Sequence, residues 1–161
     1  AFPVLLLLDA QVELRKTGRS RWLSISRFVN PDGTLNLEPE EVCTRVRVPL
    51  GEWNIHEYRR NAPATHATNW SISFVGVAET RKGVLSDLRF VFGSMGKTVL
   101  RVREIEAELR SRKLPLPRRD RDGAVQQLEL AIDAMTPSLT EEQRATAVRY
   151  LEWFLVRLNT E

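Results

Sequence analysis

Two histidines, one cysteine and a scatter of serines are the side chains of this 161-residue chain with nucleophilic, basic or metal-binding chemistry. A serine nucleophile needs a histidine base beside it. Ser24, Ser26 or Ser71 would be nucleophiles only with His56 or His66 brought beside them by the fold, which spacing does not show, and no GxSxG elbow frames any of them. His66 follows Asn61-Ala-Pro-Ala-Thr in a loop and His56 precedes the acidic Glu57, so both read as solvated or packed imidazoles. Cys43 lies on an alternating segment, where a thiol behaves as a small hydrophobe or as the half-exposed neighbour of something bound. One Cys and two His leave no ligand set for a zinc or iron–sulfur site, so no metal ligands are assigned. Gly93-Ser-Met-Gly-Lys97 lacks the spacing of a phosphate loop and reads as a strand-to-helix turn. The basic run from Arg110 to Arg121 straddles prolines and has no interleaved aromatic residue. It reads as a solvated linker or a face for an acidic partner, not a nucleic-acid site. Trp22, Trp53, Trp70 and Trp153 are scattered, as core or interface residues are. No catalytic residue is assigned on this chemistry.

The elements that must position these groups follow from hydrophobic period. Val12 and Leu14 alternate with Gln11 and Glu13, and Trp22, Leu23 and Ile25 form a second short strand across the polar segment Arg15–Arg21. Asn30-Pro-Asp-Gly33 is a turn. Val42, Thr44, Val46 and Val48 alternate with Cys43, Arg45 and Arg47, which predicts a half-buried strand ended by Pro49. Ile72, Phe74 and Val77, then Thr80-Arg-Lys-Gly83, then Leu88, Phe90 and Phe92 predict an antiparallel hairpin. From Thr98 the period is helical. Val102, Ile105 and Leu109 mark a first helix, broken at Leu114-Pro-Leu-Pro117. Leu128, Ala131, Ile132 and Met135 mark a second, closed by Thr136-Pro137. Val148, Leu151, Leu155 and Leu158 mark a third, widened by Phe154 and opened by a Thr140/Gln143 capping box. Strands first and helices after predict an α+β fold, a β part followed by three short helices.

Composition agrees with a folded domain: 42% hydrophobic and 28% charged residues, with 24 Lys+Arg against 21 Asp+Glu. A net charge of +3 demands neither a nucleic-acid nor a membrane partner. A lone cysteine fits a reducing, cytoplasmic compartment. The opening run Phe2–Leu8 lacks a basic flank and stops at Asp9, so it is neither a signal peptide nor a membrane span. Beginning inside an apolar run without Met, the chain reads as a piece of a longer polypeptide. The run is then expected to lack its cover and either to fold onto the Val42–Val48 strand or to drive a homo-oligomer.

The order of segments carries a resemblance. Leu5-Leu-Leu-Leu-Asp-Ala-Gln-Val-Glu-Leu14 is followed by Ile25-Ser-Arg-Phe28 and by Leu37-Glu-Pro-Glu-Glu-Val-Cys-Thr-Arg-Val-Arg-Val-Pro49. Then come His56-Glu-Tyr-Arg-Arg60, Asp87-Leu-Arg-Phe-Val-Phe-Gly93, Val99-Leu-Arg-Val-Arg-Glu-Ile-Glu-Ala-Glu-Leu109 and Glu142-Gln-Arg-Ala-Thr-Ala-Val-Arg-Tyr150. This series resembles the later part of the FAD-binding domain of the molybdenum hydroxylases, the xanthine dehydrogenase and carbon monoxide dehydrogenase family. The resemblance implies two parts: residues 1–54 as the truncated tail of a middle, mostly β subdomain, and residues 55–161 as a C-terminal subdomain, a small antiparallel β-sheet followed by a three-helix bundle. It implies FAD in the parent, electron transfer from a molybdenum centre through iron–sulfur clusters to the flavin, and iron–sulfur and molybdopterin subunits or domains as partners. The family's two Gly-rich flavin loops have no counterpart here, which implies that they lie upstream and that this piece binds FAD weakly by itself. The flavin-contacting positions that fall within the segment are Cys43, where the family has Leu, and His56 or Glu57, where it has Lys. Val99 stands where the family's helix opens with Pro. These departures support an alternative: a non-catalytic interaction module that has lost flavin binding.

Overall fold

The computed structural model describes residues 2–30, 32–61, 71–95, 98–135 and 139–159. The chain divides into two units, Ala1–Gly51 and Glu52–Glu161.

In the first unit the alternation at Val12 and Leu14 becomes β1 (Gln11–Lys16), paired antiparallel with β2 (Arg19–Ser24). Only Thr17 and Gly18 make the turn, because Gly18 adopts φ +75° without cost, and the strands run through most of the predicted polar connection. The predicted second strand ends at Ser24. Ile25 opens a short helix, α2 (Ile25–Phe28), and its side chain is buried. A strand β3 (Val42–Arg47) pairs with the other side of β1, giving the order β2-β1-β3. The run Phe2–Leu8 forms α1 (Phe2–Leu7), with Leu6 and Leu7 buried and Val4 exposed. Leu6, Leu7, Ala10, Val12, Leu14 and Ile25 are the buried apolar residues of this unit.

The prediction of a half-buried β3 is corrected: all six of its residues are exposed. Glu13 lies opposite Arg45 and Leu14 opposite Cys43, so Thr44 is an extra residue and the strand bulges there. Residues opposite one another share a face. Cys43 and Val46 therefore lie on the side of Leu14 and Val12, while Val42 is turned to the side of Arg15. A bulge moves every side chain beyond it to the other face, so the simple alternation of valines fails at this point.

In the second unit β4 (Ile55–Asn61), β5 (Ile72–Arg81), β6 (Val84–Met95) and β7 (Thr98–Leu100) form an antiparallel sheet in sequential order. The predicted hairpin is β5 and β6. Its turn has Lys82 at φ 51° and Gly83 at φ 73°, the two positive values that match the twist of the flanking strands. Gly93–Met95 close β6 and Thr98 opens β7, so the Gly93–Lys97 segment joins two strands, not a strand and a helix; Gly96 and Lys97 lie outside the described residues. Three helices follow: α3 (Arg103–Leu109), α4 (Arg118–Asp133) and α5 (Glu141–Arg157). Arg118–Arg121 belong to the first turn of α4, so that part of the basic run is helix and not linker; Pro117 is its N-cap. The predicted closing pair Thr136-Pro137 lies outside the described residues. The capping box on α5 is present in full: Gln143 N–H donates to Thr140 Oγ1 at 3.2 Å, and Thr140 N–H donates to Gln143 Oε1 at 3.0 Å. The architecture is the expected α+β one.

One face of the sheet packs against the helices through aromatic rings. Phe74 lies 5.2 Å from Phe92 and 5.2 Å from Phe154, centroid to centroid, and 6.1 Å from Tyr150. Gly76 admits this packing. A methyl group there would sit 2.7 Å from Phe154 Cζ and 2.9 Å from Phe74 Cε1. Gly76→Ala is therefore expected to lower stability by about 1–3 kcal/mol through overpacking, read as a lower urea midpoint. Combined with Phe154→Leu, the cost should be less than the sum of the two single changes. An unchanged midpoint for Gly76→Ala would show that the ring is free to move aside.

Candidate functional site

The three candidate positions fall on two edge strands. Cys43, on β3, is exposed, and its Sγ lies 3.9 Å from the Arg45 carbonyl oxygen. His56 and Glu57 are on β4, the outer strand of the second sheet. His56 lies opposite Val77 and is exposed. Glu57 lies opposite Gly76 on the other face, where Arg157 of α5 donates from Nε to Glu57 Oε1 at 3.3 Å. The structure thus places His56 and Glu57 side by side in sequence but on opposite faces, and Cys43 belongs to the other unit. His66 and Trp70 lie outside the described residues.

The residues that organise these strands are carboxylates the sequence reading had not singled out. Glu13 is 4% exposed in the middle of β1. Thr44 Oγ1, from the bulge, donates to Glu13 Oε2 at 2.8 Å, and the Nε atoms of Arg15 and Arg45 lie 3.4 and 3.6 Å from its oxygens. The bulge that re-aims Cys43 is thereby tied to a buried charge. Glu41 precedes β3 and takes a two-pronged bond from Arg21 of β2, with Nε to Oε1 and Nη2 to Oε2 both at 2.8 Å. The Glu38 N–H donates to Glu41 Oε2 at 2.8 Å as well. The Arg21 hydrogen bonds, then that amide, hold the Glu41 carboxyl down to about 2.

In the second unit Asp87 gathers four donors: Arg89 Nε at 3.0 Å, Arg110 Nη2 at 2.9 Å, the Leu88 N–H at 3.0 Å and Trp53 Nε1 at 3.3 Å. Burial works to raise the Asp87 carboxyl, but the charges of Arg89 and Arg110 and the bonds from Trp53 and Arg89 outweigh it, leaving it below the usual range. Glu106, 4% exposed, takes Arg101 Nε at 2.9 Å and Arg101 Nη2 at 2.9 Å on its two oxygens, and its Oε1 accepts the Phe90 N–H at 3.0 Å. The available signal was a charged residue inside an apolar run, as in Val12-Glu13-Leu14. The periodicity argument assigns such a residue to the solvent side by default.

What these residues can hold is limited. No group of three or more His, Cys, Asp or Glu among the described residues could hold a metal ion. A groove of about 580 Å³ runs between Glu108, Arg112, Arg119, Asp120 and Asp122. Its charges are of both signs, and Arg112 Nε already lies 3.6 Å from Asp120. A dinucleotide diphosphate needs backbone amides converging on it, commonly over glycines. Gly18, Gly33 and Gly83 are turn residues with nothing within 4 Å of a would-be Cβ, and Gly76 faces a phenyl ring.

Residues 1–51 match the family model described as the FAD binding domain in molybdopterin dehydrogenase. That match is the whole of the first unit. Among solved structures, the chain is similar to reconstituted CO dehydrogenase from Oligotropha carboxidovorans, with TM-score 0.68 and 16% identity over 97% of this chain and 53% of that one. It is similar to carbon monoxide dehydrogenase from Hydrogenophaga pseudoflava, with TM-score 0.66 and 18% identity over 97% and 53%. It is similar also to quinoline 2-oxidoreductase from Pseudomonas putida 86, with TM-score 0.66 and 15% identity over 98% and 53%. At such identity the likeness shows the fold, and this chain spans about half the length of the chains it matches. No curated protein matches the sequence. Among the described residues no helix is long and apolar enough to cross a membrane.

The Glu41 pair gives a pH prediction. A carboxyl held below its unfolded value stabilises the fold fully above the ordinary value of 4.5, and that contribution is lost as pH falls toward 2. The urea midpoint of the native chain should drop between about pH 6 and about pH 3. In Glu41→Gln, already weaker at neutral pH, the drop should be smaller. Equal drops in both chains would remove Glu41 from the acid response.

Proposed function

We propose that this chain is the later half of the FAD-binding subunit of a molybdenum hydroxylase of the xanthine dehydrogenase and CO dehydrogenase type. In that subunit it serves as the scaffold that positions the flavin and meets neighbouring subunits. The observation that carries the proposal is the coincidence of two boundaries. The family match ends at residue 51, where the first unit ends, while the shared fold continues over 97% of the chain.

In this reading residues 1–54 complete a middle subdomain and residues 55–161 form the C-terminal one. The diphosphate of FAD is gripped by Gly-rich loops outside this chain. FAD supplies the redox chemistry when bound. The residues of this chain supply walls and contacts. Cys43 presents a small, soft side chain on the same side of the sheet as Val46, and both are exposed. Glu57 acts through Arg157, its charge already met, and does not stand free toward an anionic cofactor. Iron–sulfur and molybdopterin subunits are the partners, and the location is cytoplasmic.

The test compares two proteins. FAD titrated into the 161-residue chain should bind more weakly than about 1 μM, which is about −8 kcal/mol. The product of the same reading frame extended upstream should purify with flavin absorbance near one FAD per chain. Tight binding by the short chain would overturn the assigned division of labour. An extended product without flavin would overturn the proposal itself and favour the interaction module.

A further inference from the structure

β4 is the outer strand at one end of the second unit's sheet, and a basic, aromatic seam runs beside it. On α5, Thr146, Arg149, Tyr150, Trp153 and Arg157 recur at three- and four-residue spacing, so they form one stripe about 17 Å long. That stripe borders β4. Arg59 of β4 stacks its guanidinium over the Trp153 ring, 4.2 Å from the centroid, and Arg157 is bound to Glu57. Tyr150 packs its ring on Phe74, and both Arg149 and Arg59 lie close enough to its phenol to oppose the effect of burial.

The charges along the seam are not balanced. Arg59 and Arg149 are exposed, and neither forms an ion pair with a carboxylate among the described residues; Arg149 Nη2 donates to Thr146 Oγ1 at 3.1 Å. By contrast Arg110, Arg112, Arg118 and Arg144 of the same unit each face an Asp. Among the exposed carboxylates of α5, Glu142 continues the stripe one turn before Thr146, and Glu152 shares a groove with Arg118 and Arg121 on the α4 side.

We propose that the α5–β4 seam, centred on Trp153 and Arg59 and flanked by Arg149, docks an acidic segment of a partner protein. Trp, Tyr and Arg are the residues that carry most of the energy of protein interfaces, and here they are adjacent and half-covered. Uncompensated arginines call for carboxylates opposite them. The Trp153 face is already occupied by a guanidinium and so is closed to a stacked nucleic-acid base. The charges line a seam and do not converge on a pocket, which suits an extended chain better than a small anion. The inference rests on the second unit alone and is independent of the flavin proposal.

The test uses the full chain and a labelled polyglutamate peptide, with binding followed by anisotropy at low ionic strength. Arg59→Gln with Arg149→Gln should weaken binding about tenfold or more, and Arg118→Gln with Arg119→Gln, an equal loss of charge elsewhere, less than about threefold. Trp153→Ala should also weaken binding. Because that ring is partly buried, the exposed arginine pair carries the test if the Trp153 variant melts early. Equal weakening by the two arginine pairs would reduce the effect to net charge and overturn the assignment. So would no binding by the native chain, or a single-stranded oligonucleotide that binds as tightly with the same dependence on Arg59 and Arg149.

Discussion

The long strand β6 has one edge that β5 fills and another that must be closed. β7 is only three residues long and meets β6 at Phe92 and Met95. Further along, the Phe90 N–H would be an unpaired donor in a buried place, at a cost of about 1–3 kcal/mol. Glu106 answers it from α3, and Arg101, which sits between β7 and α3, neutralises Glu106 in turn. Beyond that point the chain after α3 returns to the same edge: Ser111 N–H donates to Leu85 O at 2.8 Å and Leu85 N–H to Arg112 O at 2.9 Å. Strand, side chain and loop thus close one edge in sequence, and α3 is fixed in place by the closure. The helices that follow then have a defined surface to pack on, with Phe154 over Gly76.

The same device recurs in the first unit. Glu13 and Glu41 are carboxylates inside or beside the sheet, each held by arginine and by a polar group of the strand it organises. Glu13, Glu41, Asp87, Arg101 and Glu106 all lie in the segments that carry the resemblance to molybdenum hydroxylases. Their contacts in this structure are with the fold itself. These carboxylates and arginines therefore set strand edges and helix positions in a fold shared with CO dehydrogenase at 16% identity.

Much of the fold was legible because the signals were local. The β5–β6 hairpin is written in an alternating pattern with Lys82-Gly83 between, and α5 in an apolar stripe behind a capping box. What failed was not local. The bulge at Thr44 depends on Glu13, which lies 31 residues away, and it reverses the side on which Cys43 and Val42 lie. β7 exists because β6 offers it an edge, and three residues are too few to show a period. Arg118–Arg121 look like linker next to two prolines, yet Pro117 is well placed to open a helix. For the site, residue types alone offered no active centre, and the three positions came from resemblance. That Glu57 is met by Arg157, a hundred residues later, is information only the folded chain contains.

The central claim is that the charged residues of the family-like segments support the architecture, with the Arg101–Glu106 pair foremost. Removing one partner of a buried pair leaves the other uncompensated. Equilibrium unfolding of Arg101→Met in urea tests this most directly. The account predicts a loss of about 3–5 kcal/mol relative to the native chain. A loss within about 0.5 kcal/mol, the range of an ordinary surface change, would contradict it.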